Sequence, residues 1–219
     1  MTEKQLRLAI VETGEKIYSH GFVAANDGNI SVRLDSKRIL TTPTGVSKGF
    51  MKPQDIAVVD YSGNMLKGKI KPSSELKMHL LIYKSRPDVN AIVHAHPPVS
   101  TGFAAAGIAL DKPIIAEAVV TLGKVPLAPY GTPGTSEVTE GLAPFVKDND
   151  AILMSNHGAV TYGASLEQAL FRMETLEHFA KICLVTKLLG KENAFSDCEL
   201  EKLSALRAKL FGCKPPKNS

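Results

Sequence analysis

Ala91-Ile92-Val93-His94-Ala95-His96-Pro97 is a short apolar run that ends in two histidines one residue apart. In an extended strand, side chains i and i+2 share a face, roughly 6 to 7 Å apart along the chain. Two imidazoles placed in that way can close on one metal ion. Neutral imidazole suits zinc and its transition-metal neighbours, and a catalytic site keeps three protein ligands with one position open. His157 is the natural third candidate. It follows a second apolar run, Ala151-Ile152-Leu153-Met154-Ser155-Asn156, and Gly158 after it can supply the turn that brings a strand end to a cleft. A His-x-His pair fits equally two half-exposed histidines at a strand terminus, one of them hydrogen-bonded.

Around this stretch the chain is balanced. Its 219 residues are 44% hydrophobic and 22% charged, enough for one soluble globular domain over residues 1–212, with 213–219 expected to be a disordered tail. The net charge of +4 is scattered and there is no Trp, which suits small anionic substrates and argues against nucleic acid. Cys183, Cys198 and Cys213 are too few and too late in the chain for a disulfide framework, which favours a reducing compartment. No apolar run has the length to cross a bilayer, and Met1-Thr2-Glu3-Lys4-Gln5 has no signal-peptide layout, so a cytoplasmic protein is expected.

Taken in order, Thr2-Glu3-Lys4-Gln5 is a capping box that heads an amphipathic helix with Leu6, Ala9, Ile10, Thr13 and Ile17 on one face, ended by Gly21. The loop Asn26-Asp27-Gly28-Asn29 feeds alternating strands at 30–34 and 38–42, and a third strand runs over 55–60. Lys71-Pro72-Ser73-Ser74-Glu75 opens a helix that continues to Arg86-Pro87, with a serine in capping position. After the His-x-His strand come a small-residue helix to Gly107, short strands near Ile114-Ile115 and Val125-Leu127, and a helix from 136 to 147. Ser165 heads a long helix with Leu166, Leu170, Met173, Leu176, Ala180 and Leu184 on its inner face, and Ser196 caps a last helix ending near Gly212. Strands interleaved with helices, and helices at both ends, predict a mixed α/β sandwich in three layers.

Three loops carry what a phosphate wants: Gly28-Asn29, Thr44-Gly45 and Ser73-Ser74. Glycines let backbone N–H groups approach an anion, hydroxyls and an amide donate, and a helix start at Ser74 adds a favourable dipole. Each pair taken singly is an ordinary turn or cap. There is no lysine-bearing Walker motif, so a nucleoside triphosphate site is not expected. Glu75 is the candidate for proton transfer, since a carboxylate near a divalent cation can be ligand at rest and base once substrate displaces it. A glutamate that merely favours the helix dipole occupies the same position equally well. His79, one turn on, either supports the site or packs the helix.

Gly28-Asn29-Ile30-Ser31-Val32-Arg33, Thr42-Pro43-Thr44-Gly45, Pro72-Ser73-Ser74-Glu75, Val93-His94-Ala95-His96, Ala128-Pro129-Tyr130 and Asn156-His157-Gly158 together resemble the class II aldolase/adducin family, in particular its fuculose-phosphate aldolase branch. The resemblance runs in order from the first helix to about residue 190. It implies an α/β/α fold with a central, mainly antiparallel sheet, and a homotetramer with active sites between adjacent subunits. It also implies zinc, or another divalent ion such as Mn, Co or Fe, held by His94, His96 and His157, with Glu75 completing the resting shell. The phosphate of a small sugar phosphate would bind through Gly28, Asn29, Thr44, Gly45, Ser73 and Ser74. Asn26 stands where the branch has a phosphate-binding threonine. The implied reaction cleaves a ketose 1-phosphate to dihydroxyacetone phosphate and a small aldehyde such as lactaldehyde, with Glu75 exchanging the proton beside the carbonyl and no Schiff-base lysine. The branch also places a tyrosine in the loop read here as Ile114-Ile115-Ala116-Glu117-Ala118-Val119, so Glu117 is the substitute acid/base if it is not simply a surface residue. The alternatives within the family are a methylthioribulose-phosphate dehydratase, a tetronate-phosphate decarboxylase, a ribulose-phosphate 4-epimerase, and an adducin-head-like module without catalysis.

Overall fold

The computed structural model describes residues 1–212, so the expectation of a disordered tail at 213–219, with Cys213, lies outside the described residues. Helix α1 (Glu3–Ser19) is followed by strands β1 (Asn29–Arg33), β2 (Arg38–Thr41), β3 (Ala57–Asp60) and β4 (Met65–Lys67). Helix α2 (Leu76–Ser85), strand β5 (Ala91–Ala95), helices α3 (Pro98–Ala105) and α4 (Ala116–Thr121), and strand β6 (Leu127–Ala128) come next. Helix α5 (Ser136–Val146), strands β7 (Ala151–Met154) and β8 (Gly158–Gly163), and helices α6 (Leu166–Leu189) and α7 (Asp197–Phe211) complete the described chain.

The eight strands form one sheet in the order β4-β3-β2-β1-β5-β8-β7-β6. All neighbours pair antiparallel except β6 with β7. Because the central strands are apolar at consecutive positions, both faces can be covered. Val93 of β5 and Leu153 of β7 join Ile10 and Ile17 of α1, Phe103 of α3 and Met173 of α6 on one side of the sheet. Ile92 and Ile152 join Ile82 of α2 and Leu142 of α5 on the other. Adjacent residues of one strand thus serve opposite cores, and the fold is the expected three-layer α/β sandwich. Burial of each of these side chains is worth about 1.5–3 kcal/mol.

Several local expectations are corrected. Ile114 and Ile115 are half-buried against the core but form no strand; Ile115 is extended and caps α4, so the segment around Glu117 is helical. The sequence pattern does not predict β4, an edge strand exposed at all three residues, or β8, which is bounded by glycines. Leu184, expected on the inner face of α6, is 42% exposed, while its neighbour Cys183 packs in the core.

The two helical layers meet at one carboxylate. Asp150, 2% exposed just ahead of β7, accepts from Arg86 at 2.9 Å, Arg172 at 2.8 Å and Arg207 at 2.6 Å, drawing the end of α2 together with α6 and α7. Removing one partner from a buried ion cluster strands the others. Asp150→Ala is therefore expected to destabilise the fold by about 3–5 kcal/mol, read as a lower urea midpoint at unchanged slope; a midpoint like that of the wild type would reduce the cluster to decoration.

Candidate active site

Register places the histidines. Pairing of β5 with β8 sets His94 opposite Val160 and Ala95 opposite Ala159, while β1 sets Asn29 opposite His94 on the other side. By alternation His94 faces the same side as Ile92, toward α2. His157 arrives through the tight reversal between β7 and β8, where its N–H donates to Met154 O at 3.0 Å. The left-handed residue of that reversal is Asn156, at φ 54°, rather than Gly158. Gly158 is needed for a different reason: a Cβ there would sit 2.5 Å from His96 Cδ2 and 2.6 Å from Ala95 O.

The fourth group comes from the start of α2, one residue later than expected. Pro72 pairs with Pro43 and the Ser73 N–H donates to Thr42 O at 3.1 Å, so this segment stays extended. The helix begins only at Leu76, with Glu75 as its cap residue at φ −96° and ψ 12° and no serine capping it. Ser73 Oγ instead accepts from the Glu75 N–H at 3.2 Å. Glu75 is therefore aimed inward as α2 begins, and is not a first-turn residue on the helix surface.

The four side chains converge. The three imidazole centroids lie 4.9 to 5.2 Å apart, and a ligating nitrogen from each falls within 4.8 Å of the others. His96 Nε2 is 3.2 Å from His94 Nε2, and Glu75 places Oε2 3.3 Å from His94 Nε2 and Oε1 3.1 Å from His157 Nε2. The His94 Nδ1–H donates to Ala159 O at 2.9 Å, which fixes the tautomer and turns the Nε2 lone pair inward. Glu75 Oε1, though buried, has no hydrogen-bond partner. Inward-facing acceptors without donors between them are what a divalent cation requires, and imidazole with carboxylate is a donor set for zinc and its neighbours. The site is open at one edge, since the His94 side chain is fully covered while that of His96 is 25% exposed.

The electrostatics agree. Burial alone would push the Glu75 carboxyl up, but His94 and His157 beside it hold it well below the usual carboxylate range. Burial works against a charge on His94 too, yet Glu75 raises it. Burial, then the neighbouring His94 and His157, lower His96 to about 4. The cluster can accept one positive charge opposite Glu75 and resists a second proton on His96.

The anion-type loops lie beside this cluster. The Thr44 N–H donates to Lys71 O at 3.0 Å, so Thr44-Gly45 and Ser73-Ser74 are neighbours, and Gly28 packs so closely on β5 that a Cβ would lie 2.8 Å from His94 O. Thr44, Gly45, Ser74 and Asn26 are exposed and Ser73 is half-buried. Asn29 is not: at 1% exposure its amide donates to Glu75 Oε2 at 2.9 Å and its oxygen meets His79 Nε2. The reading of Asn29 as simply a phosphate donor therefore misses a tie to Glu75. Lys48, a residue the sequence pattern does not single out, is 1% exposed and donates from Nζ to Asn26 O at 2.9 Å and Val46 O at 2.7 Å, linking two of the loops. Burial pushes its ammonium down to about 8, against the pull of Asp27 and Glu75. Glu117 is exposed on α4, which packs against α6 and α7, and among the described residues no hydrogen bond or ion pair joins it to the histidines. A wide open groove of about 1160 Å³ lined by Arg33, Tyr61, Lys77 and Lys84 contains none of the residues of the cluster. No helix among the described residues is long and apolar enough to cross a membrane.

Residues 8–184 match the sequence profile of the class II aldolase and adducin N-terminal domain. The 3-oxo-tetronate 4-phosphate decarboxylase of Escherichia coli K12 is 35% identical over 188 residues, covering 84% of this chain and 88% of that protein. The L-fuculose phosphate aldolase of Methanocaldococcus jannaschii is 37% identical over 176 residues, covering 80% and 94%. The crystal structure of YgbL from Klebsiella pneumoniae superposes with a TM-score of 0.87 at 32% identity, covering 93% of this chain and 99% of that one.

The close approach at Gly158 is testable. Gly158→Ala is expected to cost about 1–3 kcal/mol through overpacking and to push His96 out of line, so that dialysed protein retains less divalent metal. A melting temperature and metal content equal to those of the wild type would contradict the geometry.

Proposed function

This chain belongs to the class II aldolase and adducin family, and we propose that it is a zinc-dependent aldolase that reversibly cleaves a ketose 1-phosphate to dihydroxyacetone phosphate and a small aldehyde, lactaldehyde if the sugar is fuculose. The observation that carries the reading is the convergence of His94, His96, His157 and Glu75 next to Thr44-Gly45 and Ser73-Ser74. His94, His96 and His157 would hold the ion, with Glu75 placed to join them. Zinc fits this donor set, with Mn, Co or Fe as chemical substitutes. The ion supplies Lewis-acid stabilisation of the negative charge that develops on oxygen as the carbon–carbon bond breaks.

The remaining steps fall to the chain. Backbone N–H groups around Gly28 and Thr44-Gly45, the hydroxyls of Thr44, Ser73 and Ser74, and the amides of Asn26 and Asn29 are assigned to the phosphoryl group, with the buried charge of Lys48 behind them. In the condensing direction Glu75 removes the proton from the carbon beside the carbonyl of dihydroxyacetone phosphate; in cleavage it returns it to the three-carbon fragment. Glu117 is assigned the proton of the aldehyde-side oxygen, reaching a neighbouring subunit's site in a cytoplasmic homotetramer.

A second reading rests on the decarboxylase relative, as similar to this chain as the aldolase is. Loss of CO2 from a four-carbon 3-oxo acid 4-phosphate leaves the same three-carbon phosphate with the same charge beside its ketone. Both reactions ask the same work of Glu75 and the phosphate loops and differ only in the group that departs. A panel of ketose 1-phosphates and 3-oxo-tetronate 4-phosphate, assayed for dihydroxyacetone phosphate with aldehyde or with CO2, separates them. Absence of stoichiometric divalent ion together with no turnover would favour a non-catalytic adducin-like module.

Glu75→Gln is expected to lower kcat by about 10²–10⁴-fold with metal still bound by the three histidines; near-normal turnover would remove Glu75 from proton transfer. Glu117→Gln should lower kcat strongly if Glu117 handles the aldehyde-side proton, and an unchanged rate assigns it to the surface. Lys48 is charged below a pH of about 8 and neutral above it, so its attraction for an anion fades as pH rises through that value. Lys48→Met should weaken inorganic phosphate binding about tenfold near neutrality, as expected for one partly screened charge, with the difference from wild type closing above pH 8 by calorimetric titration. A constant difference across pH would refute the electrostatic role.

A further inference from the structure

Behind Glu75 lies a file of buried polar groups, of which only Asn29 has been given a role above. The Tyr83 hydroxyl is 2.9 Å from Ser31 Oγ, and Ser31 Oγ is 2.6 Å from His79 Nδ1. His79 Nε2 meets Asn29 Oδ1, and Asn29 Nδ2 reaches Glu75 Oε2 at 2.9 Å. Ser31 is fully buried, His79 and Asn29 are 1% exposed, and Tyr83 is 2% exposed. The file joins two secondary-structure elements, Asn29 and Ser31 on β1 with His79 and Tyr83 on α2.

The direction of every bond follows from its last member. A carboxylate only accepts, so Asn29 turns its NH2 to Glu75 and its oxygen to His79. His79 must then carry its proton on Nε2 and donate it to Asn29. Its Nδ1 is left as an acceptor, which requires the Ser31 hydroxyl to donate to it, and Ser31 Oγ in turn accepts from the Tyr83 hydroxyl. Four donors point the same way, each polarising the next. Nothing in the file takes a proton from Glu75.

We propose that His79 is a positioning residue for the acid/base carboxylate: through Asn29 it fixes the rotamer of Glu75, with Ser31 and Tyr83 locking the His79 tautomer that makes this possible. The inference rests on the assignment of proton transfer to Glu75. A carboxylate that must at one moment face the cation and at another the substrate carbon has one oxygen to spare for orientation, and Oε2 is the oxygen held. His79 touches neither substrate nor ion, and its influence is on where Glu75 points. Burial, followed by the charge of His94, lowers His79 to about 3, consistent with a neutral ring that donates through one nitrogen.

The test uses the full-length, metal-loaded protein and dihydroxyacetone phosphate in D2O, with loss of the carbon-bound proton followed by NMR. His79→Leu is expected to slow exchange about tenfold or more through misalignment, with the half-saturating concentration changed by less than about threefold because substrate contacts survive. His79→Gln, whose side-chain NH2 can stand near the imidazole Nε2–H, should recover most of the rate. Independently of activity, ¹⁵N-imidazole spectra of the metal-free protein should show His79 protonated at Nε2 and bare at Nδ1, and Tyr83→Phe should shift those resonances. A His79→Leu variant that exchanges at the wild-type rate overturns the proposal, and so does an Nδ1–H tautomer in the unaltered protein. If the wild type catalyses no exchange, the assignment of Glu75 fails, and the tautomer then decides on its own whether the file is ordered as described.

Discussion

Antiparallel pairing of β5 with β8 is the constraint on which the site depends. It holds Ala95 opposite Ala159 and His94 opposite Val160, and so returns the chain that carries His157 to the end of β5. A slip of one residue would turn His94 into the α1 and α6 core and replace it with an alanine or a valine. Register is defended on both faces at once, because Ile92 and Val93 bury in opposite layers and neither can move into the other's place. The close contact of Gly158 with His96 and Ala95 O adds a local lock at the point where the strands leave each other. The metal-type geometry is therefore set by where the strands of the sheet end, with Glu75 brought in from the segment ahead of α2.

Burying four acceptors together opposes folding, since none can donate to another without a proton or a cation between them. The chain limits this penalty by giving several of these groups an outward partner, although Nδ1 of His157 is buried without one. The Nδ1–H of His94 is anchored on Ala159 O, Glu75 Oε2 receives Asn29, and Lys48 neutralises part of the acceptor field of the Asn26 and Val46 carbonyls. Glu75 Oε1, also without a hydrogen-bond partner, lies against His157 Nε2 at the centre of the cluster. Residual acceptor density at the centre is the mark of a site that folding leaves unfinished for a ligand.

Much of this was legible from residue order. The His-x-His pair at the end of an apolar run, the third histidine after another such run, and the capping boxes at Thr2 and Ser196 depend on neighbours within four residues, and local pattern reports such features well. What escaped depends on contacts distant in sequence. Lys48 looks like any surface lysine until the 26 and 46 loops close over it. Glu75 reads as a first-turn glutamate because the pairing of Pro72 with Pro43, which delays the helix, is not visible from Pro-Ser-Ser-Glu alone. Ile114-Ile115 has the composition of a strand, yet the two residues pack against the core ahead of α4, so tertiary context overrides propensity. Asn156 rather than Gly158 takes the left-handed turn, since glycine is spent on close approach to His96 instead.

The asymmetry of the site explains why the family can be read further than the substrate. On the side proposed for the phosphoryl group, three residues are anchored, Lys48 between two loops, Asn29 between Glu75 and His79, and Ser73 against Thr42, while Thr44, Gly45 and Ser74 are exposed. The anchored positions are determined by the fold, and under the proposed function they would serve any substrate that yields a phosphorylated three-carbon ketone. Glu117, the group proposed for the departing-group side, is exposed on a six-residue helix. The energetics of that side are set by what covers it, and an exposed carboxylate can be paired, desolvated or left in water with quite different consequences for proton transfer. A fold that makes the common half rigid and leaves the other half at the surface can change its reaction by changing only the surface, which is consistent with aldolase and decarboxylase relatives at nearly the same distance from one chain.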